Sequence, residues 1–546
     1  MVSLSKVLES LKTRTLPAVL LLAMSLSLLG GCAWPSFPTF PANPTDTPLP
    51  AIPDPVTHVP PTADTVGGQE TIVILHTNDF HGAIEPRLSS NGKQEYGGLV
   101  NLVSLIDKIR AEDPERTLLL DAGDSFQGTY VSNSNEGQVV MEAMNLAGYD
   151  AWSLGNHEFD WGQAILKARI EQATFPVLAA NVVDAKTGKV WAPVKPYVVV
   201  NVGRVRVAIL GLGYPNTPGI VKPQTVEGLR FLRATETVRR YLPEMEEQAD
   251  LIVILSHAGY DNDVALAKAV DGLDVIVGGH THKFIEWPSR VNGAIIAQAG
   301  AKGQALGVLR LTVDLDKGVV ADYERDGALV EVTGDVSPVN QKVKALVDDA
   351  LTEASETMNL PIGESATTLQ PQREGEFALG NLIVDAMLAA EIDGQPADIA
   401  WHNNGGIRAG LRKGSITYGQ LYEVLPFDNQ LMALDLTGAQ VLEILEHSVA
   451  DRAGGLQTAG VTYQFSMSRP VGRRVLEAWV GGEKLDPQRT YRVITIDYLA
   501  TGGDGFRTFL EGENVGYGDN EVWVVAEYIR SHSPVRPQVE GRIVQK

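Results

Sequence analysis

Four short apolar runs, each stopping on polar residues, constrain this chain more than any other feature. Residues 72–75 (Ile-Val-Ile-Leu) lead into His76-Thr77-Asn78-Asp79-Phe80-His81, and residues 118–120 (Leu-Leu-Leu) into Asp121-Ala122-Gly123-Asp124. Residues 251–255 lead into Ser256-His257, and residues 275–277 into Gly278-Gly279-His280-Thr281-His282. Unbroken apolar segments of this kind, with another at 205–210 and amphipathic stretches between them, predict strands covered on both faces in a layered α/β domain. Polar side chains just past the carboxyl ends of such strands lie where open α/β sheets build their sites.

A further polar cluster, Gly155-Asn156-His157-Glu158-Phe159-Asp160, falls between them. Five of the ten histidines, His81, His157, His257, His280 and His282, lie in these segments. A lone histidine is most often a packed or surface residue, but five at strand ends beside glycines predict a site. Mixed nitrogen and oxygen donors suit borderline divalent ions (zinc, manganese or cobalt-like) better than calcium. Two such ions can clamp a phosphoryl oxygen, acidify water and stabilise an in-line displacement. They also answer an electrostatic difficulty: the formal charge of −22 argues against a basic nucleic-acid-binding surface, so an anionic substrate needs a local source of positive charge.

At 546 residues the chain is too long for one ordinary core, so two domains with appendages are expected. Cysteine occurs once, at Cys32, which excludes an intrachain disulfide, a thiolate zinc site and a cysteine nucleophile in the folded part. Lys6, Lys12 and Arg14 precede an apolar run at 16–29 that ends in Leu29-Gly30-Gly31-Cys32. This is the layout of a secretory leader, and its end resembles a bacterial lipobox, predicting export and membrane attachment through a lipidated Cys32 at the cell surface or in the periplasm. The apolar run is short for a bilayer span. The reading is therefore a leader at 1–31, a proline-rich extended linker at 32–69, a catalytic domain at 70–335, a helical connector at 336–362 and a second α/β domain at 363–546. Val343, Leu346, Val347 and Leu351 form one stripe of the connector helix.

Taken in order, residues 74–82, 121–129, 155–160, 256–259 and 278–282 resemble the bacterial 5′-nucleotidase / UDP-sugar hydrolase family. The resemblance implies a four-layer α/β metallophosphoesterase domain with two packed sheets, followed by an α/β substrate-binding domain. It implies that Asp79, His81 and His282 hold one divalent ion, that Asn156, His257 and His280 hold another, and that Asp124 bridges them. His157 would stabilise charge on the phosphate or leaving oxygen, with Asp160 orienting its ring. His282 departs from part of the family, which carries glutamine there. Glu158 is expected to be structural, Asp121 to support the ligand loops or cap, and His76 to be a hydrogen-bonded core histidine.

In the second domain the resemblance implies a nucleoside clamp. Phe427 and Tyr498 would stack on the base, Asn403 would meet its edge, Asp504 would accept ribose hydroxyls, and Arg373 and Arg408 would contact phosphate or sugar. The physics agrees: guanidinium forks match phosphate, and aromatic faces hold bases. Tyr498 stands where many relatives carry phenylalanine. Because metals and clamp belong to different domains, closure or rotation has to bring them together.

The leading expectation is a hydrolase of nucleoside 5′-monophosphates, extending to nucleotide-sugar diphosphates. The alternative is a 2′,3′-cyclic-nucleotide phosphodiesterase / 3′-nucleotidase with the same metal ligands. A non-catalytic nucleotide- or metal-binding lipoprotein is the third reading, and His157 with Asp160, which a binder does not need, argues against it.

Overall fold

The structure, a computed structural model, describes residues 68–88, 94–450 and 455–546. The leader, Cys32 and almost all of the proline-rich linker lie outside the described residues. Strand β1 (Gln69–Thr77) sits inside a seven-stranded sheet. It runs parallel to β2 (Thr117–Asp121) and antiparallel to Ala305–Asp314, and β2 runs parallel to β3 (Ala151–Ser153). A six-stranded sheet carries β4 (Leu251–Ser256), parallel on one side to Val205–Leu212 and on the other to β5 (Val275–Gly278).

The alternation of side chains along each strand stacks these sheets into layers. Ile72, Ile74, Leu118 and Leu120 meet Val253, Leu255, Val275 and Val277 between the two sheets. Val73, Leu75 and Leu119 point the other way, into a core shared with Leu102 and Ile106 of the helix Leu99–Arg110 and Met141 and Met144 of the helix Gln138–Ala147. On the far side Ile252, Ile254 and Ile276 pack with Val238, Met245 and Leu266 from two further helices. The order is helix, sheet, sheet, helix, the four layers expected. Each buried Leu, Ile or Val contributes about 1.5–3 kcal/mol through removal from water.

The helix Gln341–Met358 buries Val343, Val347 and Ala354 in the core of the first domain, with Leu346 and Leu351 half-buried against it. Asn340 caps it, its Oδ1 accepting from Lys342 N at 3.1 Å and Val343 N at 3.0 Å. Strand Pro361–Ser365 then pairs with Gly414–Thr417. Beyond it lies a five-stranded mixed sheet in which β6 (Ile399–Asn403) and β7 (Thr490–Ile496) are parallel. Their common direction makes Asn403 and the Asp497-Tyr498 turn leave the sheet at one edge. Among the described residues no helix is long and apolar enough to cross a membrane.

Candidate active site

The loops after β1 and β2 are zipped together by their backbones: Asp79 N donates to Gly123 O at 2.8 Å and His81 N to Asp124 O at 2.9 Å. Glu158 ties in the third loop, accepting from Asp124 N at 2.9 Å, Ser125 N at 2.8 Å and Gly155 N at 2.7 Å. Asp121 accepts from Thr77 Oγ1 at 2.6 Å, Gly123 N at 2.9 Å and Ser125 Oγ at 2.8 Å. Gly155 has to be glycine, because a Cβ there would lie 2.2 Å from Asp124 Oδ1. The backbone is bent hard to face these side chains inward. Asp79, His81, Asp124, His280 and His282 all have left-handed φ, between 50° and 71°. They are five of the twelve described non-glycine residues that do, the kind of strain that clusters at functional sites.

Three groups of donors result: Asp79 with His81 and His282, Asp124 with His257 and His280, and Asp124 with His81 and His157. His81 Nδ1 donates to Gln127 O at 3.0 Å, which leaves the Nε2 lone pair facing His282 Nε2 at 3.1 Å. Asp79 Oδ1 lies 3.3 Å from that His282 nitrogen. His257 Nδ1 donates to Ala122 O at 2.6 Å, and its buried Nε2 has no hydrogen-bond partner although Asp124 Oδ2 is 3.0 Å away. His280 Nδ1 lies 3.0 Å from Asn156 Oδ1. Burial, followed by the repulsion of His282, holds the His81 pKa well below the usual histidine value, and burial pushes His280 down to about 4, so both rings offer neutral lone pairs. Lone pairs converging at these distances, with two ring orientations fixed by backbone carbonyls, fit divalent ions.

His157 stands beside this cluster. Its Nδ1 donates to Asp160 Oδ2 at 2.7 Å, and its backbone N to Asp124 Oδ1 at 2.8 Å. Burial works against a charged ring here, but the carboxylates of Asp160 and Asp124 outweigh it and hold the pKa above the usual histidine value.

One cavity of about 230 Å³ joins this cluster to the second domain. Asp124, Asn156, His157, Asp160, His280 and His282 line it together with Arg373, Asn403, Arg408, Phe427, Tyr498 and Asp504. The two domains are in direct contact beside the cavity. Gln127 Nε2 and Asn133 Nδ2, in the catalytic domain, both donate to Pro426 O, at 2.9 and 2.8 Å, and Arg87 pairs with Glu423 at 2.8 Å. The Asp504 carboxylate accepts from Asn403 Nδ2 and from the Tyr498 hydroxyl, each at 2.7 Å. That hydroxyl is what a phenylalanine would lack.

His76 differs from expectation. It is buried, but neither ring nitrogen has a hydrogen-bond partner. Its ring lies against Gly307, where a Cβ would come within 2.0 Å of Nε2, and burial lowers its pKa to about 4. Sequence reasoning also missed Tyr214, whose ring stacks on His280 at 3.9 Å, and Ile220, Val221 and Lys222, which line the cavity. All four lie between Val205–Leu212 and Leu229–Phe231, where no apolar period or motif marks them.

Comparison with known proteins matches residues 72–284 to the calcineurin-like phosphoesterase family and residues 354–511 to the 5′-nucleotidase C-terminal domain. A snake venom 5′-nucleotidase of Crotalus adamanteus is 32% identical over 532 residues, covering 87% of this chain and 89% of that one. The trifunctional nucleotide phosphoesterase protein YfkN of Bacillus subtilis (strain 168) is 33% identical over 86% of this chain, which spans only 35% of that longer protein. The crystal structure of a 5′-nucleotidase precursor from Thermus thermophilus superposes with a TM-score of 0.79 at 35% identity, over 87% of this chain and 99% of its own.

Proposed function

Since the chain belongs to the 5′-nucleotidase family of metal-dependent phosphoesterases, we propose that it is an exported hydrolase releasing phosphate from nucleoside 5′-monophosphates, and that it also cleaves nucleotide-sugar diphosphates. The observation that carries this reading is the single cavity lined by metal-type donors from one domain and by Arg373, Arg408, Phe427 and Tyr498 from the other. A base-bearing phosphate ester is a ligand that uses both ends.

In this reading Asp79, His81 and His282 would hold one divalent ion and Asn156, His257 and His280 the second, with Asp124 within reach of both groups of donors. Ions held there supply Lewis acidity toward phosphate oxygens and water. The chain supplies the rest. Arg373 and Arg408 take phosphate or sugar oxygens with guanidinium forks. His157, its ring aimed by Asp160, stabilises negative charge as it builds on the phosphate or the leaving oxygen. Phe427 and Tyr498 grip the base, while Asp504, itself held by Asn403 and the Tyr498 hydroxyl, keeps acceptor sites for ribose hydroxyls. Attachment to a membrane through a lipidated Cys32 completes the proposal.

Phosphate release from 5′-, 3′- and 2′,3′-cyclic nucleotides and a nucleoside diphosphate sugar tests it, with 5′-monophosphates expected to turn over fastest. Faster cleavage of the 3′ or cyclic esters overturns the reading in favour of a cyclic phosphodiesterase / 3′-nucleotidase.

A further inference from the structure

One wall of the cavity belongs to neither the metal cluster nor the arginines. Between Val205–Leu212 and Leu229–Phe231 the catalytic domain extends an irregular segment of short turns, Thr217–Gly219 and Pro223–Val226, and Ile220, Val221 and Lys222 between them line the cavity beside Phe427, Asn429, Ile496 and Tyr498. Lys222 Nζ is fixed at 2.8 Å from Asp497 Oδ2, and the other oxygen of Asp497 accepts from Tyr498 N at 2.9 Å. The ammonium is therefore anchored one residue from the ring that would stack on the base. It has three hydrogens to donate and no acceptor, and Asp497 takes one of them.

Lys222 therefore sets a donor-only polarity on this wall. The carbonyl oxygen of a 6-oxopurine or 4-oxopyrimidine accepts from such a group, whereas the amino group that adenine or cytosine carries at the same position sets a donor against it.

We propose that Lys222, a residue of the catalytic domain, is a specificity determinant that selects nucleotides with oxo-bearing bases over their amino counterparts. The inference rests on the nucleotidase reading and on Phe427 and Tyr498 gripping the base. A like-polarity mismatch sets donor against donor and forfeits the charge-assisted hydrogen bond that an oxo base makes with Lys222.

The test is the ratio of kcat/KM for inosine over adenosine 5′-monophosphate, and for uridine over cytidine 5′-monophosphate, on the full metal-loaded protein. Within each pair the substrates differ only in the edge at issue. The expected ratio is about tenfold or more in the wild type, the scale of one charge-assisted hydrogen bond. It should fall toward one in Lys222→Met and persist in Lys222→Arg, which keeps a donor-only cation. Both rates are read on one sample, so partial misfolding lowers them together and leaves the ratio intact. A wild-type ratio at or below one, or an unchanged ratio in Lys222→Met, overturns the inference. Failure to cleave any of the four nucleotides while p-nitrophenyl phosphate is still hydrolysed overturns the nucleotidase reading, and the inference with it.

Discussion

His157 and Phe427 lie ring against ring, their centroids 5.6 Å apart and their planes 29° from parallel, so the side chains proposed to stabilise charge and to grip the base touch across the two domains. Each should nonetheless fail in its own way. His157→Ala leaves every proposed metal donor and clamp residue in place. The kcat for a nucleoside monophosphate is expected to fall by roughly 10²-fold or more with little change in KM. Phe427→Ala removes stacking worth about 1–3 kcal/mol. It should raise KM for nucleotides while hardly affecting p-nitrophenyl phosphate, which carries no base. Equal losses on both substrates would take Phe427 out of the clamp.

Asp124 stands within reach of His257, His280, His81 and His157, so it is the donor whose loss should be felt at both ends of the cluster. Asp124→Ala is expected to lose both ions and His282→Ala chiefly one. Elemental analysis of the purified variants reads this directly. Two tightly bound ions surviving in Asp124→Ala would remove the bridging role.

The Tyr498 hydroxyl donates to Asp504 Oδ1 at 2.7 Å and accepts from Asp504 N at 3.0 Å. Tyr498→Phe keeps the aromatic face and deletes only this tie. A KM increase of about tenfold for nucleotides, with kcat nearly unchanged, is expected from the loss of one hydrogen bond to the half-buried Asp504 carboxylate. No change in KM would show that Asp504 needs no such support.

These sites were legible in the sequence to different degrees. The proposed metal donors could be located because each follows an apolar run or sits in a compact motif, and strand direction alone carries their side chains to one edge. The four layers followed from the same runs once the family resemblance was added. The bonds from Gln127 and Asn133 to Pro426, and the pairing of Lys222 with Asp497, could not be read that way, because each joins residues about 275 to 299 positions apart across the domain interface. His76 was misjudged for a related reason. Its place in β1 predicts burial, but whether a buried imidazole finds a partner depends on what the neighbouring strand presents, and at Gly307 that strand presents no side chain.

His76 gives a prediction about stability. Its folded-state pKa of about 4 lies below the usual 6.5, so between those values the unfolded chain binds the proton and the folded chain does not. Stability is therefore lost as pH falls from 6.5 toward 4, by roughly 3 kcal/mol at most from this residue. His76→Leu should melt higher than wild type at pH 7, because the unpartnered nitrogens are gone, and the gap should widen at pH 5. A gap that stays constant between the two pH values would mean that His76 is paired after all.

Export should depend on residues outside the described structure. Cys32→Ala is expected to shift the protein from the membrane fraction to soluble or unprocessed forms while the specific activity of the purified protein is kept. Wild-type processing and partitioning of the variant would rule out the lipid anchor.

The left-handed bends at Asp79, His81, Asp124, His280 and His282 have a consequence for how these positions can vary. Apart from glycine, the residues that tolerate such a bend best are asparagine, aspartate and histidine. Those are also the letters that donate to borderline divalent ions. Two unrelated demands, one from chain geometry and one from inorganic chemistry, thus select from the same short alphabet. A replacement such as glutamate for aspartate, which would still offer a carboxylate, meets a backbone it fits poorly. Replacement at Asp79, His81, Asp124 and His280 is therefore disfavoured on both counts, so the pattern that marks the site in sequence reflects chain shape as well as donor chemistry.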